Sequence, residues 1–346
     1  MNSHWTRGLA IAAALLAASL AVLALIPAQA QSQRTAAAVQ RFEVSAQTIE
    51  SFDPREPART RFGALEFRGG LVLTASHKNF GGISALLMQP GGERFLSLTD
   101  RGFWLRGRIV YRGDRPIAVR DAEMAPVLGA DGVPLARRRW YDTEALADDG
   151  TGTLYVGIER VHQIVRFNNF ARDGLRSRGA PIAVPPAFKS LPSNKSIECL
   201  AVAPRGGPLG GTLLAISESG LDDRGNIRGF LIGGAGGTFS VRRTDEFDIS
   251  DCTILPSGRL LLLERRFSWL RGIAMRIRSV ALSDVKPGAT IDGKEMIFAD
   301  MGHQIDNMEG IGWHRAANGA TVLTLVSDDN FSALQRTVLL QFMLKE

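Results

Sequence analysis

Carboxylates recur along this 346-residue chain at positions where a buried side chain would normally be apolar. In residues 194–220, NKSIECLAVAPRGGPLGGTLLAISESG, Glu198 precedes a small residue and a leucine, a Pro/Gly-rich turn follows, and the apolar run 213–216 leads to Glu218. A buried strand that ends in an acid is uncommon, because an unpaired carboxylate is costly to remove from water. The unit recurs as YDTEALADDGTGTLYVGIER (Glu144, Glu159) and FDISDCTILPSGRLLLLER (Asp251, Glu264). It recurs again in residues 307–329, with Glu309, then Asp328 and Asp329. The earliest copy, FGGISALLMQPGGERFLSLTD, has Ser84 where the others carry an acid and ends on Asp100.

Two kinds of chemistry suit this set. Hard carboxylate oxygens in flexible number are the ligands calcium prefers, with magnesium a poorer match, and the metal-ligand candidates are Asp100, Glu159, Glu218, Asp251, Glu264, Glu309 and Asp328. Like charges raise one another's pKa and resist ionising together, so something positive must stand among them. Arg101, Arg160, Arg265 and Lys195 each lie within three residues of an acid, with His162 and His303 as further candidates. They can neutralise the carboxylates directly, as bidentate arginine pairs do, or stabilise charge on a transferred group. Glu144 and Glu198 are the candidates for a general base. The alternative is structural, since repeated polar residues also pin inner strands through salt bridges and backbone caps.

The elements that would position these residues follow from the repeat. Taking Ser84, Glu144, Glu198, Asp251 and Glu309 as markers, the intervals are 60, 54, 53 and 58 residues. A second echo, DRGFWLRG from Asp100 and ERRFSWLRG from Glu264, sets Trp104 against Trp269, both expected to be packing residues. Self-similarity near this period signals a repeat architecture, with propeller blades at roughly 40–50 residues. Each copy reads as a small antiparallel sheet, and radial packing buries its faces while leaving only short edges. The expected fold is therefore an all-β propeller spanning residues 41–346, closed by pairing of N- and C-terminal strands. Five repeats are legible, a hairpin at residues 62–75 around Arg68-Gly69-Gly70 could supply another blade, and six blades are expected. Both acid sets would face one end of the ring, bringing up to nine carboxylates into one mouth. The stretch 172–193, with Pro181, Pro185, Pro186 and Pro192, is expected to loop over one face.

Residues 1–30 read as a Sec-type signal: Arg7, a continuous apolar or small run over 9–26, and Ala28-Gln29-Ala30 as the cleavage site. Residues 31–40 are polar and alanine-rich, a disordered lead-in. The mature chain is thus expected in the periplasm or outside the cell, with no stable membrane insertion. Cleavage removes one arginine and no acid, leaving 40 basic against 35 acidic side chains. That excess fits a small anionic substrate, and without a basic run nothing points to nucleic acid. Cys199 and Cys252 could pair in an oxidising compartment, or could sit too far apart on neighbouring strands to bridge. No G-x-S-x-G, H-E-x-x-H, P-loop or paired CxxC is present, and nothing calls for an organic cofactor.

The ordered motifs FGGISAL with LSLTDRG, YDTEALA with VGIER, NKSIECLAV with AISES, and NMEGIGW with LVSDDN resemble the phytase-like family described as having "esterase-like activity of phytase". The resemblance implies an exported propeller with phosphoesterase activity toward a small phosphate ester, resting on Asp100, Glu144, Glu159, Glu198, Glu218, Glu264, Glu309 and Asp328. The chain departs from the family pattern at Asp251-Cys252, and at Ala145 and Cys199 where glycine is usual. A calcium-dependent lactonase or carboxylesterase and a non-catalytic binding propeller are the alternatives on the same scaffold.

Overall fold

Each acid-bearing repeat begins with the innermost strand of a sheet, and those five strands pack edge to edge around a common axis. The structure is a computed structural model that describes residues 38–345 apart from 208, 235 and 271. The export signal expected at 1–30 and most of the lead-in at 31–40 lie outside the described residues; Gln40 opens a strand that pairs with Met124.

Among the described residues the chain forms five sheets, arranged as the blades of a propeller. Their inner strands are Ile83–Met88, Thr143–Asp148, Ile197–Val202, Asp248–Leu255 and Asn307–Arg315, numbered here as blades 1 to 5. Five hydrophobic clusters lie between neighbouring blades, one at each junction, including the contact between blade 5 and blade 1. Period-2 alternation in each strand supplies both faces, so every sheet is buried against two neighbours.

Among the described residues there is no sixth blade. Residues 62–75 form no hairpin around Gly69-Gly70; Leu65–Thr74 is one continuous strand, paired with Thr337–Leu344 on one side and Ser45–Ile49 on the other. The strands counted toward a further blade are consumed in completing blade 5, which is the closure by the two ends of the chain that edge protection requires. Glycine is needed there because a Cβ on Gly70 would fall 2.7 Å from Leu340 Cδ2 and 2.8 Å from the Leu339 carbonyl.

The proline-rich stretch is likewise no free loop. Arg178–Pro181 adds a short strand to blade 2, and Phe188 and Leu191 are buried in the cluster between blades 2 and 3. Phe188 packs edge-on against Phe230.

Candidate functional site: an acidic funnel on the propeller axis

All five inner strands carry a bulge at the same place, shown by register shifts at Ile83/Ala85, Thr143/Ala145, Ile197/Cys199, Ile249/Asp251 and Met308/Gly310. A bulge re-aims the extra side chain out of the sheet alternation. The bulged residues are Ser84, Glu144, Glu198, Ser250 and Glu309. The second strand of each blade passes beside this point, and the residue one past the partner of the residue preceding the bulge is Asp100, Glu159, Glu218, Arg265 or Asp328, the last two being themselves paired with Asp248 and Asn307. Two rings of side chains therefore surround one end of the axis.

Blade 4 differs from the sequence reading by one residue on both strands. Ile249 pairs with Glu264, so Ser250 takes the place of the repeated glutamate and Arg265 the place of the terminal acid. Asp251 turns into the protein, where one carboxylate oxygen accepts the Cys252 N–H at 2.7 Å and the other the Ile311 N–H at 2.8 Å. Glu264 is fully buried and held by Arg276 at 2.7 Å and by Arg278 at 2.6 and 2.7 Å. Matching acids with acids hid this offset. The turn proline exposes it, because Pro90, Pro204 and Pro256 each stand six residues after Ser84, Glu198 and Ser250.

The offset also sets the cysteines. Cys199 aligns with Asp251, not with Cys252, and the diagonal neighbours form a disulfide with Cα atoms 5.2 Å apart, inside the usual range. The Trp104 and Trp269 echo breaks for a related reason. Trp104 is fully buried, whereas Trp269 is 94% exposed, because in blade 4 the second hairpin continues past the ring through the pairs Arg265–Met275 to Ser268–Gly272. Its tip carries Phe267 and Trp269, edge to face at 5.3 Å, beside the funnel.

Seven candidate carboxylates remain in the funnel: Asp100, Glu144, Glu159, Glu198, Glu218, Glu309 and Asp328. Each is pushed upward in pKa by burial first and by like charge as well. Asp100 and Glu159 reach about 7, Asp328 about 6 and Glu309 about 8. Glu144 and Glu198 are raised well above the ordinary range. The repulsions close on themselves, Asp100 with Asp328, Asp328 with Glu309, Glu309 with Glu198, Glu198 with Glu159, Glu159 with Glu144 and Glu144 with Asp100. Such a circuit requires the groups to share one concavity. Asp142, which the sequence reading passed over, adds an eighth carboxylate; its positive φ of 58° aims it at the rim, where it pairs with Arg160.

Compensation is partial. Arg265 reaches Glu218 at 3.1 Å and Glu309 at 2.8 Å, and Lys195 lies 3.7 Å from Glu218 and 3.5 Å from Asp248. Arg101 instead lies over the Phe331 ring at 3.3 Å. His162 bonds Ser196 at 2.9 Å, and His303 bonds Asp300 at 3.1 Å beyond the funnel.

Glu159, Glu198 and Glu218 present carboxylate oxygens that all lie within 4.8 Å of one another. Oxygens bound to one calcium at 2.3–2.6 Å cannot be more than about 5 Å apart, so the three fit a single ion. Glu159 is further oriented by the Ser196 N–H at 3.0 Å. One oxygen of Glu198 and one of Asp100 are buried without a hydrogen-bond partner among the described residues, a donor set with unused capacity for a cation.

The fold and site together define a five-bladed propeller with a buried acidic funnel at one end of its axis. A family model described as "Phytase-like: Esterase-like activity of phytase" matches residues 78–331. The chain belongs to that family. No curated protein matches the chain. Among solved structures, a Xanthomonas campestris gluconolactonase is similar at 11% identity, covering 88% of this chain and 98% of its own, with a TM-score of 0.42. The Myceliophteria thermophila Cps50 (Swd1) β-propeller domain is similar at 11% identity, covering 87% of this chain and 99% of its own, with a TM-score of 0.34.

Proposed function

We propose that the protein is an exported, metal-assisted phosphoesterase that hydrolyses a small phosphate ester in the acidic funnel, with calcium as the ion. The observation that carries the reading is the Glu159, Glu198 and Glu218 group, with an unpartnered buried oxygen on Glu198. These three would hold the cation, and Asp100, Glu309 and Asp328 would line its surroundings. When bound, a divalent cation offsets the negative field and polarises the oxygen of the ester under attack.

The chain's own groups divide the remaining work. Glu144 stands outside the three-carboxylate group and is only partly buried, which supports assigning it, rather than Glu198, as the base that takes the proton of the attacking water. The water oxygen bonds to phosphorus, the ester P–O bond breaks, and the departing alcohol takes a proton from Asp100. Arg265 and Lys195 steady the added charge at the opposite wall, with Arg160 and Arg101 farther out on the rim.

A second reading, hydrolysis of a lactone or carboxylic ester, is favoured by one observation: Arg265 and Arg160 are engaged by carboxylates, which leaves little free positive charge for a phosphate. Assays with p-nitrophenyl phosphate, bis-p-nitrophenyl phosphate, p-nitrophenyl acetate and a lactone, each with calcium and with chelator, separate the readings. Phosphate-ester turnover that chelator abolishes is expected. Turnover confined to acetate or lactone would establish the second reading, and none on any substrate a binding protein.

A further inference from the structure

The axis has a second opening. The acids mark the beginnings of the inner strands, and the far ends of the same strands enclose a cavity of roughly 620 Å³ at the other end of the ring. Met88, Leu146, Leu200, Ile254 and Trp313 form its wall, one residue from each blade, and His314 borders it. Between cavity and funnel lie Ala85, Ala145, Cys199 and Asp251, all essentially inaccessible. The two compartments are thus separate, one acidic and one apolar.

The cavity has the dimensions and lining of a small-molecule site, which typically measures about 300–1,000 Å³ with mostly apolar walls and few polar groups. Met88, Ile254 and Trp313 are only partly buried, although neighbouring inner-strand residues are fully buried. Methionine and tryptophan supply adaptable and flat apolar contacts. His314 is 5% exposed, and its Nδ1 has no hydrogen-bond partner among the described residues. Gly92 packs so closely on the imidazole that a Cβ there would fall 2.2 Å from it, which fixes the ring in place. Burial first, and Arg68 second, push its pKa down to about 4, so the imidazole is neutral at ordinary pH. Asp148 and Asp149 on one side and Arg315 on another bring charges of both signs to the lining, with no set that would select an ion.

We infer that this cavity binds a small, uncharged ligand with a flat aromatic body that lies against Met88, Ile254 and Trp313. The site is independent of the chemistry in the funnel.

The neutral fluorophore N-phenyl-1-naphthylamine, with two aromatic rings systems joined by one N–H, tests this directly. The expected result is saturable one-to-one binding in the micromolar range that quenches Trp313 fluorescence. Glu198→Gln, at the other end of the axis, leaves the affinity within twofold. Met88→Glu places a charge in the wall and weakens binding at least tenfold, and Met88→Leu restores it, with thermal melts confirming that each variant is folded. Should Met88→Glu not fold, Thr253→Trp fills the cavity from a half-buried position and produces the same loss. Absence of saturable binding overturns the inference, as does binding indifferent to the folded wall variants or lost with Glu198→Gln.

Discussion

Arg265 occupies in blade 4 the position that Glu218 occupies in blade 3, and the two side chains bond each other at 3.1 Å. One blade of the five thus contributes a cation to a ring that is otherwise acidic. With Glu309 as its second partner at 2.8 Å, Arg265 bridges across blade 4 from the blade before it to the blade after it.

Removing that bridge strands two buried acids. Losing one member of a buried pair costs about 3–5 kcal/mol, and Arg265→Met is expected at the lower end because its side chain retains 24% exposure. Urea unfolding in chelator should show a loss of about 3 kcal/mol at pH 8 and a smaller one at pH 5, where Glu309, raised to about 8, is protonated.

The funnel predicts an unusual dependence of stability on pH. Asp100, Glu159, Asp328 and Glu309 start from unperturbed values of 3.8 or 4.5 and are raised to between about 6 and about 8 in the fold. The folded state therefore holds protons that the unfolded state has released, and stability must fall as pH rises. The contribution is complete below about pH 4 and lost as pH passes through 6 to 8. Thermal melts in chelator should drop by on the order of 5 °C from pH 5 to pH 8, and saturating calcium should flatten the slope.

Glu264→Gln and Glu198→Gln separate the structural acid from the proposed metal ligand. Glu264 is fully buried between Arg276 and Arg278, so its neutralisation leaves two buried guanidinium groups with only the exposed Asp245 and Asp292 as counter-charges and should cost about 3 kcal/mol. Glu198 has no such partner, and its neutralisation relieves repulsion. Denaturant titrations should show the first variant destabilised and the second as stable as the parent or more so.

The disulfide ties the inner strands of blades 3 and 4 across a sequence separation of 53 residues. Chain-entropy reasoning gives about 4 kcal/mol for a loop of this size. The double Cys199→Ala, Cys252→Ala variant should lose about that much in urea unfolding, with the β-rich circular dichroism spectrum retained at 25 °C.

The propeller was legible because acid, small residue, turn and apolar strand recur in order, and the closure because residues 337–344 alternate. The blade count was not, since nothing local in residues 41–75 tells whether their strands form a new sheet or complete an old one; the answer lies in pairing partners such as Leu340 and Gly70. Seven of the nine carboxylates expected in the mouth face the funnel. Asp251 and Glu264 do not, because charge identity was allowed to fix the register where strand pairing decides it. Likewise the fate of Trp269 depends on hairpin length, which the matching letters around Trp104 conceal.

The central claim is that the funnel is a divalent-cation site built on Glu159, Glu198 and Glu218. Isothermal titration of the chelator-stripped protein with calcium chloride at pH 7.5 tests it most directly. The account predicts saturable binding that Glu198→Gln weakens at least tenfold while Glu264→Gln, where it remains folded, does not. A titration with no saturable binding, or an affinity unchanged in Glu198→Gln, would contradict it.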